Sequence, residues 1–195
     1  MDKRCDFSPL FCKIDALLRE KKPVILAIDG NSAAGKSSLA KLLKSTYSCN
    51  VLSMDDFFLR PVQRTSERLA ESGGNVDYER FSEEVLGPLQ SEKPFTYRPY
   101  SCQIGELIDP VSVSPTQLSV VEGVYSLHPH LIGAYDIKVF LCLGEAEQRR
   151  RLLERNPPLY DRFANEWIPM ENRYFACFGV AEQCDFVFDT GANDV

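Results

Sequence analysis

The sequence predicts a three-layer α/β/α fold on a five-stranded parallel sheet, and three observations carry the prediction. Apolar runs recur at residues 24–28, 118–123 and 137–143, as expected of buried strands, the first on both faces, and shorter strands read at 50–54 and 185–189. Between them lie segments with apolar residues at helical spacing, so strand and helix alternate as a parallel sheet requires. The third observation is Gly30-Asn31-Ser32-Ala33-Ala34-Gly35-Lys36-Ser37, a match to G-x-x-x-x-G-K-[ST] set between the first strand and the next helix. Such a loop needs that setting, because backbone amides and a helix N-terminus must converge on a polyphosphate.

Taken in order, Ser8-Pro9 reads as a helix cap and first-turn proline, and Leu10, Phe11, Ile14, Leu17 and Leu18 form one apolar stripe. That helix is expected to end at Arg19-Glu20-Lys21-Lys22. In the phosphate-binding loop, Gly30 and Gly35 permit tight backbone geometry, and the amides of Ala33, Ala34 and Gly35 through Ser38 are expected to face the phosphates. Lys36 adds a mobile positive charge for the γ-phosphate, and the Ser37 hydroxyl suits a hard Mg²⁺ ion. The expected ligand is a nucleoside triphosphate with magnesium, ATP in the leading reading.

The second strand delivers Asp55-Asp56-Phe57-Phe58 at its C-terminal end, the rim on which ligands of open parallel sheets bind. A carboxylate there can accept a proton from an attacking hydroxyl or hold a magnesium-bound water; Asp56 reads equally as a cap of the next turn. Residues 59–75 are charged and rich in turn formers, with Arg60, Arg64 and Arg68 among them, and are expected to form a mobile flap or short helix. Asn75-Val76-Asp77 then precedes a helix over 78–89, for which Asp77 alone would be an N-cap. Residues 95–113 read as a β-hairpin standing off the sheet, demoted to edge strands by Pro99 and Pro110. Tyr97 and Tyr100 on it either stack on a planar ligand or pack. The strand 118–123 ends in Glu122, a carboxylate where a magnesium ion needs one. His128 and His130 read as turn residues, not metal ligands. A helix over 145–155 carries Arg149, Arg150, Arg151 and Arg155; three consecutive arginines cannot share one face, so at least one reaches inward. With Pro157-Pro158 it forms a short Arg-rich lid over about 145–165, and an aromatic helix from Trp167 to Phe178 covers the sheet edge.

At 195 residues the chain is expected to be a single domain. A net charge of −6 argues against nucleic acid or an acidic membrane surface as partner, and the expected partner is a small-molecule hydroxyl substrate. A homo-oligomer stays compatible with the sequence. Seven cysteines without a C-x-x-C pair suit free thiols in a reducing cytoplasm, and no apolar run reaches the length of a membrane span.

Together these residues resemble the uridine kinase and phosphoribulokinase family of P-loop kinases. Four features carry the resemblance in order: the loop Gly30 to Ser38; Asp55 followed by Phe57 and Phe58; Asn75-Val76-Asp77 before a helix; and Val121-Glu122-Gly123 before an Arg-rich lid. The resemblance implies a P-loop NTPase fold and a mechanism. Asp55 would be the general base, Ser37 and Glu122 would hold Mg²⁺, and Lys36 with the lid arginines, Arg150 and Arg155 foremost, would stabilise the transferring phosphoryl group. Asp77 would bind a sugar hydroxyl, with Phe58, Tyr97 and Tyr100 lining the acceptor pocket. Two departures separate chemistry from specificity. Ser101 follows Tyr100 where uridine kinases have an aspartate, and no histidine precedes His128. The expected activity is phosphorylation of a hydroxyl, in the first place of a nucleoside such as uridine or cytidine. A kinase of another alcohol (a sugar, riboside or vitamin precursor) is the near alternative, and a nucleotide-dependent switch protein the distant one. A nucleoside monophosphate kinase fits less well, because Asp55 would repel a phosphate acceptor.

Overall fold

The computed structural model describes residues 5–20 and 23–191. In chain order its regular elements begin with α1 (Ser8–Glu20), β1 (Val24–Gly30), α2 (Lys36–Tyr47), β2 (Asn50–Ser53), α3 (Ser66–Ala70), α4 (Tyr78–Phe81) and α5 (Gly87–Gln90). They continue with β3 (Phe95–Tyr97), β4 (Tyr100–Ser101), β5 (Glu106–Leu107), β6 (Val111–Val113), β7 (Leu118–Glu122), β8 (Ile137–Cys142), α6 (Glu145–Arg155), α7 (Tyr160–Arg162), α8 (Ile168–Phe178) and β9 (Phe186–Asp189). The lysine end of the first helix, Lys21-Lys22, lies outside the described residues.

Every residue of β1 is buried, because the strand occupies the centre of a five-stranded sheet in the order β2-β7-β1-β8-β9. All four pairings are parallel. Strand alternation divides β1 between two cores. Leu26 and Ile28 pack with Leu10 and Ile14 of α1 and Leu39 and Leu43 of α2; Ile25 and Ala27 face Phe57, Phe81, Val85 and Tyr174 on the opposite side. Helices on both faces of a parallel sheet give the predicted P-loop NTPase layering. The chain leaves β1 toward β2, returns through β7, and crosses to β8 on the far side of β1, so the ends of β1, β2 and β7 meet at the point where the winding reverses.

Three segments carry detail beyond the sequence expectation. The helix after Asp77 contains a π-helical turn, Ser82–Leu86, between α4 and α5, which places Pro88 near the start of the following turn. In the segment 59–75 the short helix of the two expected forms is found, as α3, and it is anchored. Arg68 reaches the Gly74 and Val76 carbonyls, pairs with both Glu79 carboxylate oxygens at 2.7 Å, and lies over the Tyr78 ring. His128 stands in a turn as expected, its amide donating to the Tyr125 carbonyl and its carbonyl accepting from the Leu131 amide, but it is 5% exposed and stacked on Tyr78, ring centroids 4.1 Å apart. That burial lowers its pKa to about 4, with the neighbouring His130 and Arg68 adding to the effect. The hairpin forms as two short antiparallel ladders, β3 with β6 and β4 with β5. Helix α8 covers the β8 side of the sheet, Phe175 meeting Phe140 edge-on. No described helix is long and apolar enough to cross a membrane.

Candidate active site

The phosphate loop is shaped by backbone constraints that its glycines satisfy. Gly30 adopts φ +136°, and a Cβ there would lie 2.0 Å from the Leu141 carbonyl oxygen. Gly35 turns through φ +96° into α2. Lys36, Ser37 and Ser38 form the first turn of α2, whose amides have no intrahelical acceptor and point toward the loop's hollow. Lys36 Nζ lies within the loop, donating to the Gly30 and Asn31 carbonyls at 2.7 and 3.0 Å. Ala34 differs from its neighbours. It is buried, and its amide donates to the Asn31 carbonyl at 3.1 Å, so it shapes the loop and is not free to meet a phosphate.

A cavity of about 900 Å³ opens over this loop and is walled by Asp55, Phe58 and Tyr100, by Glu122, and by Arg151 and Arg155 of α6. Ser37 Oγ donates to Glu122 Oε2 at 3.0 Å, and Ser53 Oγ to Glu122 Oε1 at 3.3 Å. Asp55 is an exposed residue on the cavity wall, but protein atoms crowd around its carboxyl. That desolvation raises its pKa above the ordinary carboxylate range, Asp56 pushes the same way, and Lys36 and Arg155 oppose. Glu122 is raised for the same leading reason. The hydroxyl and carboxylate offered by Ser37 and Glu122 are hard oxygen donors, which fit Mg²⁺. Among the described residues no group of three or more His, Cys, Asp or Glu could hold a metal, so such an ion would take its other ligands from phosphate and water.

No protein-family model matches the chain. Among solved structures, it is similar to a possible uridine kinase from Bacillus stearothermophilus, with a TM-score of 0.67 and 22% identity over 93% of this chain and 100% of that one. A candidate fructose transport system kinase from a Silicibacter species gives a TM-score of 0.65 and 18% identity over 91% and 97% of the two chains. D-glycerate 3-kinase from Cryptococcus neoformans gives 0.52 and 14% over 83% and 84%. The chain shares the fold of these structures, a P-loop NTPase α/β fold.

Within this fold, Lys36, Ser37, Ser38, Ala33, Gly35, Asp55, Glu122, Phe58, Tyr100 and Arg155 all border one cavity. Five candidates do not border it: Gly30 and Ala34, which shape the loop from within, and Arg150, Tyr97 and Asp77. Arg150 points to solvent, bonded to Glu147 and Glu154, because its position on α6 is opposite the buried Gln148 and Leu152. Arg151 takes the inward place, donating to the Thr190 carbonyl at 2.7 Å and the Ala33 carbonyl at 3.3 Å. Tyr97 is packed on Phe57, and its hydroxyl donates to Asp56 Oδ2 at 2.9 Å. That bond also settles Asp56, which anchors the hairpin; Ser53 caps the turn Met54–Phe57. Asp77 is the N-cap of α4, accepting from the Arg80 amide and from Gln63 Nε2, and those partners cover it.

Two buried carboxylates escaped the sequence reading. Asp29 closes the apolar run of β1, fully buried, and accepts from the Gly30 and Leu127 amides and the Tyr174 hydroxyl. Desolvation lifts its pKa to about 6 despite those donors and Lys36. An acid inside an apolar strand was its visible signal. Glu171, on α8, accepts from the amide and hydroxyl of Ser32. A single acid in an aromatic helix gave no comparable signal.

Proposed function

We propose that the protein is an ATP-dependent kinase that transfers the γ-phosphoryl group to a hydroxyl of a small molecule, in the first place the 5'-hydroxyl of a nucleoside of the uridine or cytidine kind. The observation that carries the reading is Asp55, a carboxylate with a raised pKa on the wall of the cavity that also holds Lys36, Ser37 and Glu122. A volume of about 900 Å³ leaves room for an acceptor beside a nucleotide. In this mechanism Asp55 accepts the proton of the acceptor hydroxyl as it attacks, and Lys36 and Arg155 meet the charge that spreads over the transferring oxygens. Magnesium held by Ser37 and Glu122 would neutralise phosphate charge. Most of the acceleration comes from holding acceptor and γ-phosphate in line.

The nucleoside is favoured by aromatic surface on the acceptor side. Phe58, Tyr100, Tyr125, Phe163 and Trp167 all border the cavity, enough flat area to stack a base. The structural neighbours are named as a possible uridine kinase, a candidate fructose transport system kinase and a D-glycerate 3-kinase, which supports an alcohol as acceptor. One observation favours a second reading, an alcohol bearing an anionic group. Arg64 borders the cavity, and among the described residues its guanidinium donates only through Nε, to the Leu59 carbonyl. The test is ADP release from Mg-ATP against a panel of uridine, cytidine, plain sugars, pantothenate-like alcohols and hydroxy acids, with a no-acceptor control. Stimulation by uridine or cytidine supports the first reading, and by a hydroxy acid the second. Slow basal hydrolysis with no stimulation would overturn both and favour a switch protein.

A further inference from the structure

Ser32 spends all its polar groups on the two helices that flank the lid. Its amide and hydroxyl donate to the Glu171 carboxylate of α8, at 3.1 and 2.6 Å, and its carbonyl accepts from Gln148 Nε2 of α6 at 3.0 Å. Glu171 and Gln148 are each 4% exposed, so neither contact is a solvent-swept surface bond. Ser32 and Glu171 both border the cavity. A buried carboxylate beside a polyphosphate site opposes anion binding by its charge, and only an offsetting role makes it useful there. The bonding pattern supplies one. A carboxylate offers two acceptors and no donor, which matches one N–H and one O–H from the same residue; a glutamine in that place offers a single acceptor. One turn further along α8, the Tyr174 hydroxyl donates to Asp29 Oδ2 at 2.9 Å. Residues 171 and 174 share a helix face, so α8 grips the loop at both Asp29 and Ser32.

We propose that Glu171 is a positioning residue for nucleotide binding: together with Gln148 it fixes Ser32 and thereby sets the phosphate loop in its ligand-binding shape from the two helices that carry the lid. The proposal rests on the reading of the loop as an ATP site. It assigns the Ser32 amide to the protein, leaving the phosphates to Lys36 and to the other amides of the loop and of the first turn of α2.

The test is calorimetric Mg-ATP affinity for the wild type, Glu171→Gln, Ser32→Ala and the double variant, with KM for ATP and for the best acceptor, and thermal melts of each. Glu171→Gln keeps the shape and loses one acceptor, and is expected to weaken Mg-ATP about tenfold, the scale of one charge-assisted hydrogen bond. Its KM for ATP should rise in parallel while the acceptor KM stays within about twofold, a split that general loss of structure would not produce. Ser32→Ala should weaken Mg-ATP less, and the double variant no more than Glu171→Gln alone, because both changes act through one contact. Unchanged affinity in both single variants, fully multiplicative losses, or an acceptor KM that rises in step overturns the proposal. If Glu171→Gln melts early, Ser32→Ala decides by itself, since unchanged affinity there also overturns it. A wild type that fails to bind Mg-ATP overturns the ATP-site reading, and the proposal with it, before any variant is compared.

Discussion

The residue whose chemistry matters most is Asp55, and its environment fixes what it can do. Although exposed to the cavity, its carboxyl is desolvated by the protein packed around it and holds a proton more tightly than a free aspartate, with Lys36 and Arg155 limiting the effect. A general base works only when ionised, so kcat/KM should fall as pH drops through that raised pKa, above the ordinary value near 4. Asp55→Asn is expected to lower kcat by about 10²–10⁴ and to abolish this acid limb, while Mg-ATP affinity stays within a few-fold. Steady-state rates across pH, paired with calorimetric binding, check both halves. Near-wild-type turnover in the variant would move the base elsewhere. At the same scale, the exchange of Arg150 for Arg151 is a matter of helix phase. Gln148 and Leu152 are the buried positions of α6, and Arg151 lies beside them while Arg150 lies across.

At the scale of elements, the segment between β2 and α4 is held where its composition suggested mobility. One side chain accounts for much of this. Arg68 ties the short helix α3 to the backbone at Gly74 and Val76, to the Glu79 carboxylate and to the Tyr78 ring. The side chain is 15% exposed, so these bonds are shielded from competing water. Arg68→Ala should destabilise the fold by about 2–3 kcal/mol, the scale of losing a bidentate charged pair with its backbone bonds. It should also open residues 60–75 to proteolysis, whereas Arg60→Ala, at a more exposed pair, should do neither. Urea denaturation and limited proteolysis of both variants measure this. Equal behaviour of the two would mean that the segment is held by its backbone alone, through pairing of residues 57–59 with 75–77.

At the scale of the whole molecule, two buried groups bias stability against pH in opposite directions. His128 has a pKa near 4 in the folded chain against 6.5 as its ordinary value, so the unfolded chain binds its proton more readily. Its contribution is therefore present above pH 6.5 and lost as pH falls toward 4. Asp29, lifted from 3.8 to about 6, behaves oppositely: its contribution is present below about pH 4 and lost as pH rises through 6. Each shift is worth about 3 kcal/mol, so between pH 6.5 and 4 they nearly offset each other. His128→Phe keeps a ring against Tyr78 and removes the proton site. Relative to wild type it should gain stability steadily as pH falls from 6.5 to 4, read from denaturant midpoints at each pH. A difference that stays flat would show that His128 titrates alike in both states.

Sequence alone located the strands, because the central ones are largely buried and read as apolar runs whatever packs on them, while the edge strand β9 keeps every second residue exposed and was marked only by its β-branched and aromatic residues. It also determined the phosphate loop, Asp55 and Glu122, since a parallel strand delivers whatever follows it to the one rim where ligands bind. The unusual φ of Gly30 was legible for a related reason: only glycine fits against Leu141 there. Tertiary structure decided everything that depends on partners distant in sequence. Asp77 and Tyr97 are polar groups of the type that bind sugars and bases, and Gln63 and Asp56 take up their hydrogen bonds instead. Glu171 meets Ser32 across 139 residues of chain, and Asp29 meets Tyr174 across 145. No local periodicity encodes such a meeting. A hydrogen bond is satisfied by whatever donor the fold brings within about 3 Å, and only the packing of α8 onto the sheet brings those donors and acceptors together.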